Sequence, residues 1–359
     1  MIYREAGVYK STYRADQAIL TIPQDRWFMI GIFAVAFILI PAFSSEYWLG
    51  AIMMPFLILA LAALGLNILT GYAGQLSLGT GGFMATGAFS AYKLATSFPD
   101  MHILLVILAA GLITAAVGIL FGIPSLRIKG FYLAVATLAS QFFLIWMFDK
   151  FGWFTNYSAS GVISAPPMTI IGDIFVTGPQ ASLVTKYLFT LSIVVVLALM
   201  AKNLVRSNIG REWMAVRDMD IAAEIIGIPM LSTKLKAFAV SSFFCGIAGA
   251  LWAFLYTGAV EPLAFDVDRS FQVLFMIIIG GLGSITGAFL GSAFIILLPI
   301  LLNNAPNLLG LSVRTDMISH LEFMIFGALI IFFLVVEPHG LARLWQVAKE
   351  KLRLWPFPH

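Results

Sequence analysis

The stretch WLGAIMMPFLILALAALGLNILT, residues 48–70, decides the fold class because it contains no charged side chain over its whole length. A helix needs about 20 predominantly apolar residues to cross the hydrocarbon core of a bilayer. The same character extends along the chain, in which 60% of the 359 residues are hydrophobic and only 11% are charged. Soluble domains contain about 25% charged residues. We therefore expect most of the protein surface to face lipid.

Apolar runs of helical length recur along the chain and predict ten membrane spans. The third run is interrupted by glycines and the eighth is short, so the expected count is about eight to ten. The predicted spans cover residues 27–43, 48–70, 78–97, 102–123, 131–149, 184–201, 237–257, 268–282, 285–303 and 320–336. This pattern predicts an all-α polytopic membrane protein with a transmembrane region over residues 27–336.

The distribution of Lys and Arg predicts that both termini are cytoplasmic. With ten spans and a cytoplasmic N-terminus, the inner loops hold most of the 21 basic residues, whereas the acidic residues divide evenly between the two sides. This asymmetry is typical of membrane proteins, in which basic residues set the orientation. The resulting segments are a cytoplasmic N-terminus at 1–26, an outer loop at 150–183, an inner loop at 202–236, and an amphipathic tail at 337–359 that we expect to rest on the membrane surface.

The chain lacks the residue patterns of catalytic, metal and nucleotide sites. Its four histidines are scattered, and it has a single cysteine, Cys245. It contains no P-loop and no dinucleotide fingerprint, and a net charge of +3 gives no basis for nucleic-acid binding. No predicted span carries a mid-membrane acid of the kind that ion-driven carriers use, while Lys186 and Arg269 lie near span ends. We predict a non-enzymatic chain without a cofactor, whose energy source lies elsewhere.

Uncharged polar side chains within or beside the spans allow two interpretations. They either hydrogen-bond between helices or line a pathway for a zwitterionic or amide-bearing solute. The candidate pathway-lining residues are Asn67, Gln75, Ser77 and Gln141. Glycines are also patterned: Gly283, Gly287 and Gly291 are spaced by four, so they are expected on one helix face, where they allow a neighbouring helix to approach closely.

The inner loop contains a predicted amphipathic helix from about Ile209 to Ile226. Apolar residues recur in it at intervals of three and four, which places them in one stripe, and charged residues occupy much of the remaining surface. Gly227 and Pro229 end the helix. Acidic residues balance the basic ones, so the polar face lacks the basic excess of a membrane-surface helix. This balance favours docking into a groove of a soluble protein partner.

Four segments in order along the chain resemble the permease subunits of ATP-binding-cassette importers, specifically the M-type (LivM-type) permeases of branched-chain amino acid systems. These segments are GYAGQLSLGTGGF (71–83), PSLRIKGFYLAVATLA (124–139), GREWMAVRD with IAAEIIGI (210–218 and 221–228), and GGLGSITGAFLG (280–291). In the third segment Ala222, Ala223 and Gly227 match the EAA loop of the family, and Ile221 replaces its Glu. The outer loop departs from the family, since it reads TNYSASG (155–161) where a TGG-containing motif is common.

The resemblance implies a heteromeric importer in the bacterial inner membrane. A second permease subunit would complete the pathway, two cytoplasmic ATPase subunits would carry ATP and Mg²⁺, and a periplasmic binding protein would deliver leucine, isoleucine or valine. The residues that the resemblance assigns to ATPase coupling, together with the polar side chains of the same loop, are Arg211, Arg217, Ala222, Ala223, Glu224 and Gly227.

Three alternatives remain at this point. The same architecture is known with other small cargo, such as urea, short amides or aromatic acids. An ion-coupled secondary transporter or a channel would require paired acids or a selectivity motif within the spans. A multi-span membrane enzyme would require a cluster of His, Asp or Glu near one interface. The sequence contains neither of these two patterns.

Overall fold

The computed structural model describes residues 11–12, 23–125, 131–158, 160–170, 174–308, 315–337 and 339–354. Most of the N-terminal segment, residues 126–130 of the second motif and the last residues of the tail therefore lie outside the described residues. The described chain is helical apart from short strands β1 (Ile163–Ser164) and β2 (Ala259–Val260), which pair antiparallel. This architecture confirms the predicted all-α fold.

The α-helices of the described chain follow one another along the sequence, and the longest connection lies between Lys150 and Leu183. In chain order they are α1 (Pro23–Ala34), α2 (Ile40–Phe43), α3 (Met54–Asn67), α4 (Thr80–Ser97), α5 (Ile103–Ser125), α6 (Phe131–Lys150), α7 (Leu183–Arg206), α8 (Asn208–Asp218), α9 (Asp220–Ile225), α10 (Met230–Leu251), α11 (Val267–Gly280), α12 (Ile285–Leu308), α13 (Thr315–Val336) and α14 (Gly340–Leu354). The π-helices Val35–Leu39, Trp48–Met53, Ile68–Tyr72 and Trp252–Thr257 extend several of them, and a 3-10 turn covers Pro262–Phe265.

Seven helical stretches of the described residues are long and apolar enough to cross a membrane: Asp25–Phe43, Trp48–Tyr72, Ile103–Ile123, Tyr132–Lys150, Leu183–Arg206, Met230–Thr257 and Ile285–Asn303. The count of ten is therefore not confirmed. Of the three other predicted spans, α4 is less apolar because it contains several Gly, Ser and Thr residues. Helix α11 has only 14 residues, a length of about 21 Å. In α13 the described apolar stretch is limited to Met324–Phe333.

The centre of the described chain is formed by α3 and α10, which pack against each other and are surrounded by α4, α5 and α12. Nearly every side chain of α3 is buried, as expected for a helix that is apolar on all sides. By contrast, α5 exposes Leu105, Leu112 and Leu120, each more than half accessible. An apolar helix face of this kind is stable when lipid covers it.

Glycines set the closest helix contacts of the fold. A methyl group added at Gly87 in α4 would lie 2.0 Å from the Gly246 carbonyl oxygen, and one added at Gly249 in α10 would lie 1.9 Å from the Met84 carbonyl oxygen. In α12, Gly287 and Gly291 face α11 in the same way, against the carbonyl oxygens of Gly280 and Met276. These positions hold pairs of helix backbones in direct contact.

Gly283 does not lie on the helix face that the four-residue spacing predicted. Helix α12 begins at Ile285, and Gly283 lies in the turn before it, with a φ of +74°. The reason is that Gly281, at φ +113°, has already left the helical conformation where α11 ends. Positive φ angles favour glycine, so the turn between α11 and α12 depends on two glycines.

The tail helix α14 packs onto the transmembrane region. The carbonyl oxygen of His339 lies 2.3 Å from the position that a Cβ of Gly281 would occupy. The Lys349 ammonium pairs with the Asp25 carboxylate at 2.7 Å, and the Trp345 ring lies 5.9 Å from the Phe28 ring. These contacts join the tail to α1 and to the turn between α11 and α12. The predicted position of the tail on the membrane surface stays a prediction.

Candidate coupling site

The predicted helix over residues 209–226 is two helices in the structure. Helix α8 ends at Asp218 and α9 begins at Asp220, while Met219 between them is extended, with φ −154° and ψ 98°. The Asp220 carboxylate accepts a hydrogen bond of 2.9 Å from the Ile221 N–H. Asp side chains compete with helical hydrogen bonding in this way and favour helix starts. The single-helix prediction is therefore wrong at its centre.

Helix α8 is anchored by buried side chains. Trp213 is fully buried and its Nε1–H donates to the Thr233 carbonyl oxygen at 3.0 Å, which ties α8 to the start of α10. Val216 is also buried, and Gly210 allows close contact with the Val205 carbonyl at the end of α7. Apolar burial and a satisfied indole N–H therefore fix α8 against both α7 and α10.

Arg217 points from α8 toward the transmembrane helices. Its Nη1 donates to the Gly71 carbonyl oxygen at 2.9 Å, and its Nε and Nη2 lie 2.9 Å and 2.8 Å from the Asp218 carboxylate. Nη1 also lies 3.3 Å from the position of a Gly283 Cβ, and the Arg217 side chain packs over Gly74, which has a φ of +68°. Arg217 therefore contacts two loops of the transmembrane region at once.

Asn67 joins the same two loops from inside the transmembrane region. Its Nδ2 donates to the Ser284 carbonyl oxygen at 2.7 Å, and its Oδ1 accepts from the Gly283 N–H at 2.9 Å. We call Asn67, Gly71, Arg217 and Gly283 the Arg217 junction. It links α8 to the end of α3 and to the start of α12.

Helix α9 exposes an apolar tip. Ile221, Ile225 and Ile226 are 70%, 81% and 74% exposed, together with Met219 at 71%, whereas Ala223 is buried. The predicted stripe is therefore divided: Trp213, Val216 and Ala223 face the protein, and Met219 and Ile226 face outward. Neighbouring exposed apolar side chains of this size indicate an interaction surface. Ala222 and Glu224 are exposed beside them, and Arg211 hydrogen-bonds to Asn208 on its own helix.

Gly227 ends α9 in a left-handed conformation, with φ +91° and no atom within 4 Å of a Cβ placed there. The Gly227 N–H donates to the Glu224 carbonyl oxygen and the Ile228 N–H to that of Ala223, both at 3.0 Å. This is the usual way in which glycine terminates a helix. Gly227 therefore fixes the direction in which the chain leaves the apolar tip.

Among the four candidate pathway residues, Asn67 and Gln141 have their amides occupied by helix contacts. Gln141 Nε2 donates to the Phe265 carbonyl oxygen at 2.7 Å, and its Oε1 accepts from the Gly82 N–H and from Ser270 Oγ. Ser77 is buried and accepts from the Gly79 N–H at 3.3 Å. Gln75 is buried, and neither of its amide atoms has a partner within the described part of the chain. A pathway-lining role stays a prediction for all four.

We predict that Gln141→Leu lowers the stability of the protein by about 1–2 kcal/mol and leaves the KM for any transported solute unchanged, because its hydrogen bonds serve helix packing. The checks are thermal unfolding of the purified protein and uptake kinetics. Ser192→Ala is the control, because the Ser192 hydroxyl donates to the Leu188 carbonyl oxygen on its own helix and so does not join two helices. A KM that changes about tenfold, without a stability loss, would instead place Gln141 in the pathway.

No group of three or more His, Cys, Asp or Glu side chains in the described residues is arranged to hold a metal ion. Cys245 is a buried free thiol between α10 and α3, where its Sγ lies 3.9 Å from the Ala62 carbonyl oxygen. The described site presents an apolar surface, backbone carbonyls and the Arg217 guanidinium group.

Comparisons with known proteins place these features in a family. Residues 48–336 match the family described as the permease component of the branched-chain amino acid transport system. The high-affinity branched-chain amino acid transport system permease proteins LivM of Salmonella typhimurium and Escherichia coli are each 28% identical over 306 residues, which cover 79% of this chain and 68% of theirs. A probable LivM of Methanocaldococcus jannaschii is 29% identical over 280 residues, 74% of this chain and 78% of its own. No solved structure matches the chain significantly.

Proposed function

Because the chain belongs to the family of branched-chain amino acid transport permease components, we propose that it lines the membrane pathway of an ATP-driven importer for leucine, isoleucine and valine. It is a multi-pass protein of the bacterial inner membrane. In the proposed complex a second, related permease completes the pathway. Two cytoplasmic ATP-binding-cassette subunits hold ATP and Mg²⁺, and a periplasmic binding protein delivers the amino acid.

The observation that carries this proposal is the position of the apolar tip of α9 at the end of a rigid connection. The tip residues Ile221, Ile225 and Ile226 are open to a partner, while α8 is fixed by Trp213 and reaches the transmembrane helices through Arg217. Fully burying an isoleucine side chain contributes about 1.5–3 kcal/mol. Three such side chains on one short helix suit docking into an apolar groove of an ATPase subunit.

Movement of the docked ATPase is proposed to reach the pathway through the Arg217 junction. When two ATPase subunits close on ATP, each pulls the helix that it holds. Because α8 is packed against α7 and α10, the displacement passes to these helices as a rigid body. Arg217 passes it as well to Gly71 and Gly283, and hence to α3 and α12. These helices would tilt, and the pathway would open alternately to the two sides.

We also propose ten spans with both termini in the cytoplasm. Contacts among the described loops support this proposal, because they fall into two groups. Arg217, Gly71 and Gly283 meet the start of the tail through Gly281 and His339 on one side. On the other side, Lys93 forms a hydrogen bond with Asn156, His102 forms one with the Ile170 carbonyl oxygen, and β1 pairs with β2. The excess of Lys and Arg on the first side supports its assignment to the cytoplasm.

We expect proteoliposomes that contain this chain, the second permease and the two ATPases to accumulate leucine only when ATP and the binding protein are present. This chain alone is expected to accumulate none, because its described residues hold no nucleotide or ion-coupling site. The measurement is uptake of radiolabelled leucine, with urea and phenylalanine as parallel cargo. Accumulation by the isolated chain under a proton or sodium gradient would contradict the proposal, and uptake of urea in place of leucine would reassign the cargo.

A further inference from the structure

Two basic side chains lie where a charge is costly and have no acidic partner. Arg269 is in the first turn of α11 and Lys186 in the first turn of α7, and neither forms an ion pair with a carboxylate in the described residues. The Asp266 carboxylate next to Arg269 instead accepts from the Val267 N–H at the start of α11. An ionisable side chain at membrane depth without a counter-charge is a candidate functional site.

The Arg269 guanidinium is held in place with donors to spare. Its central carbon lies 4.3 Å from the centre of the Trp252 ring, its Nη1 donates to Gln272 Oε1 at 2.6 Å, and its Nε approaches the Ala264 carbonyl oxygen at 3.4 Å. A guanidinium group has five N–H donors, so these two hydrogen bonds leave most of the donors of Arg269 without a partner in the described residues. Stacking on an aromatic ring orients the fork and keeps its edge free for a planar anion.

The Trp252 ring on which Arg269 stacks also has an unused hydrogen-bond donor. Trp252 is 6% exposed, and its buried Nε1–H has no partner among the described residues. Buried N–H groups are nearly always paired. The Tyr256 ring lies 4.5 Å from that of Trp252, and both belong to the π-helix Trp252–Thr257. Single π-helical turns within α-helices occur frequently at functional sites.

Tyr256 connects this cluster to a cavity. An open cavity of about 520 Å³ is lined by Lys186 and Tyr256 together with Gly50, Ala51, Met54, Leu183, Leu255 and Thr257. Small-molecule sites combine apolar walls with a few polar groups. The cavity is lined by Lys186 and Tyr256 together with aliphatic side chains. The matching ligand is a small molecule with a negative group and an apolar side chain.

We propose that Arg269, stacked on Trp252 beside Tyr256, binds the carboxylate of the amino acid substrate at the edge of the cavity that Tyr256 and Lys186 line, with the side chain of the substrate against the aliphatic residues of the cavity. This inference rests on the proposed function, which supplies the cargo. Arg269 provides the paired N–H groups that a carboxylate accepts. A lipid phosphate offers similar anionic oxygens, so the experiment separates the two sources.

The test measures binding of radiolabelled leucine to the purified complex of both permeases and the ATPases in lipid nanodiscs, without the binding protein. Unlabelled leucine and leucinol compete in parallel, because leucinol has a hydroxymethyl group in place of the carboxylate. We expect the wild type to prefer leucine about tenfold or more, Arg269→Gln to lose this preference, and Arg269→Lys to keep part of it. Lys150→Gln is the control, since Lys150 is paired with Asp149 and largely exposed.

An Arg269→Gln complex that assembles normally and still prefers leucine over leucinol would overturn the inference. Mass spectrometry of the same samples measures whether a phospholipid is retained. If Arg269→Gln loses a retained phospholipid while its preference for leucine is unchanged, Arg269 binds lipid and the substrate assignment is wrong. Failure of the proposed function gives a different result, namely no ATP-driven leucine uptake by the wild-type complex.

Discussion

Ile225→Asp is expected to abolish ATP-driven leucine uptake and to release the ATPase subunits, while the variant chain inserts in normal amount. Ile225 is 81% exposed at the apolar tip of α9, so the substitution removes no contact within this chain. In the complex, however, it would place a carboxylate in an apolar groove, where an unpaired charge costs several kcal/mol. We expect ATPase binding to weaken by at least about tenfold, since each 1.4 kcal/mol lost is a factor of ten.

The measurement is the amount of ATPase that co-purifies with the tagged permease, followed by leucine uptake. Ile225→Leu is the matched control, because it keeps an aliphatic side chain of similar volume at the same exposed position. It should retain both ATPase and uptake to within about twofold. Normal ATPase retention by Ile225→Asp would show that α9 is not the docking element.

The fold class and the amphipathic helical segment over residues 209–227 were predictable because both depend on local patterns. Uninterrupted apolar runs reveal membrane helices through their length. Spacings of three and four placed Trp213 and Val216 on one apolar face, as the structure has them, but this face is buried within the chain and is not open to a partner as predicted. Gly227 and Pro229 marked the end of the element correctly, since helix termination depends on the local backbone. The spacing of apolar residues and the residues that end a helix can both be read from a single sequence.

The break at Met219 was not predictable from periodicity, because the apolar spacing continues across it. Asp218 and Asp220 on either side were the available signal, since Asp favours helix starts over helix interiors. The same break explains why Met219 and Ile226 face outward although they continue the stripe. Once α9 leaves the axis of α8, its apolar residues no longer follow the face that Trp213 defines.

The Arg217 junction was not predictable because its contacts join distant parts of the chain. Arg217 and Gly71 are 146 positions apart, and Asn67 and Gly283 are 216 apart. No local pattern encodes which loops meet at one side of a helix bundle. Arg269 was overlooked for a related reason: near a span end it resembled an ordinary interfacial charge, and only its stacking on Trp252 reveals an oriented group.

Arg217→Ala is expected to uncouple the importer, which distinguishes it from the docking variant. The substitution leaves the apolar tip of α9 and the Trp213 anchor unchanged, so the ATPases remain bound and continue to hydrolyse ATP. It removes the hydrogen bond from a charged group to the Gly71 carbonyl, which contributes about 1.5–3 kcal/mol. If this contact transmits the displacement to α3 and α12, leucine transported per ATP should fall about tenfold or more.

The measurement is leucine uptake and ATP hydrolysis in the same proteoliposomes, expressed as a ratio. Arg217→Lys should recover little of the ratio, because an ammonium group cannot bond Gly71 and Asp218 with the fork geometry of a guanidinium. Arg211→Ala is the control, because Arg211 lies on the same helix but hydrogen-bonds to Asn208 beside it. If this substitution lowers leucine uptake, it should do so by lowering ATPase binding, and the ratio of uptake to ATP hydrolysis should stay unchanged. A normal ratio in Arg217→Ala would mean that the force travels through α7 and α10 alone, by the packing of Trp213.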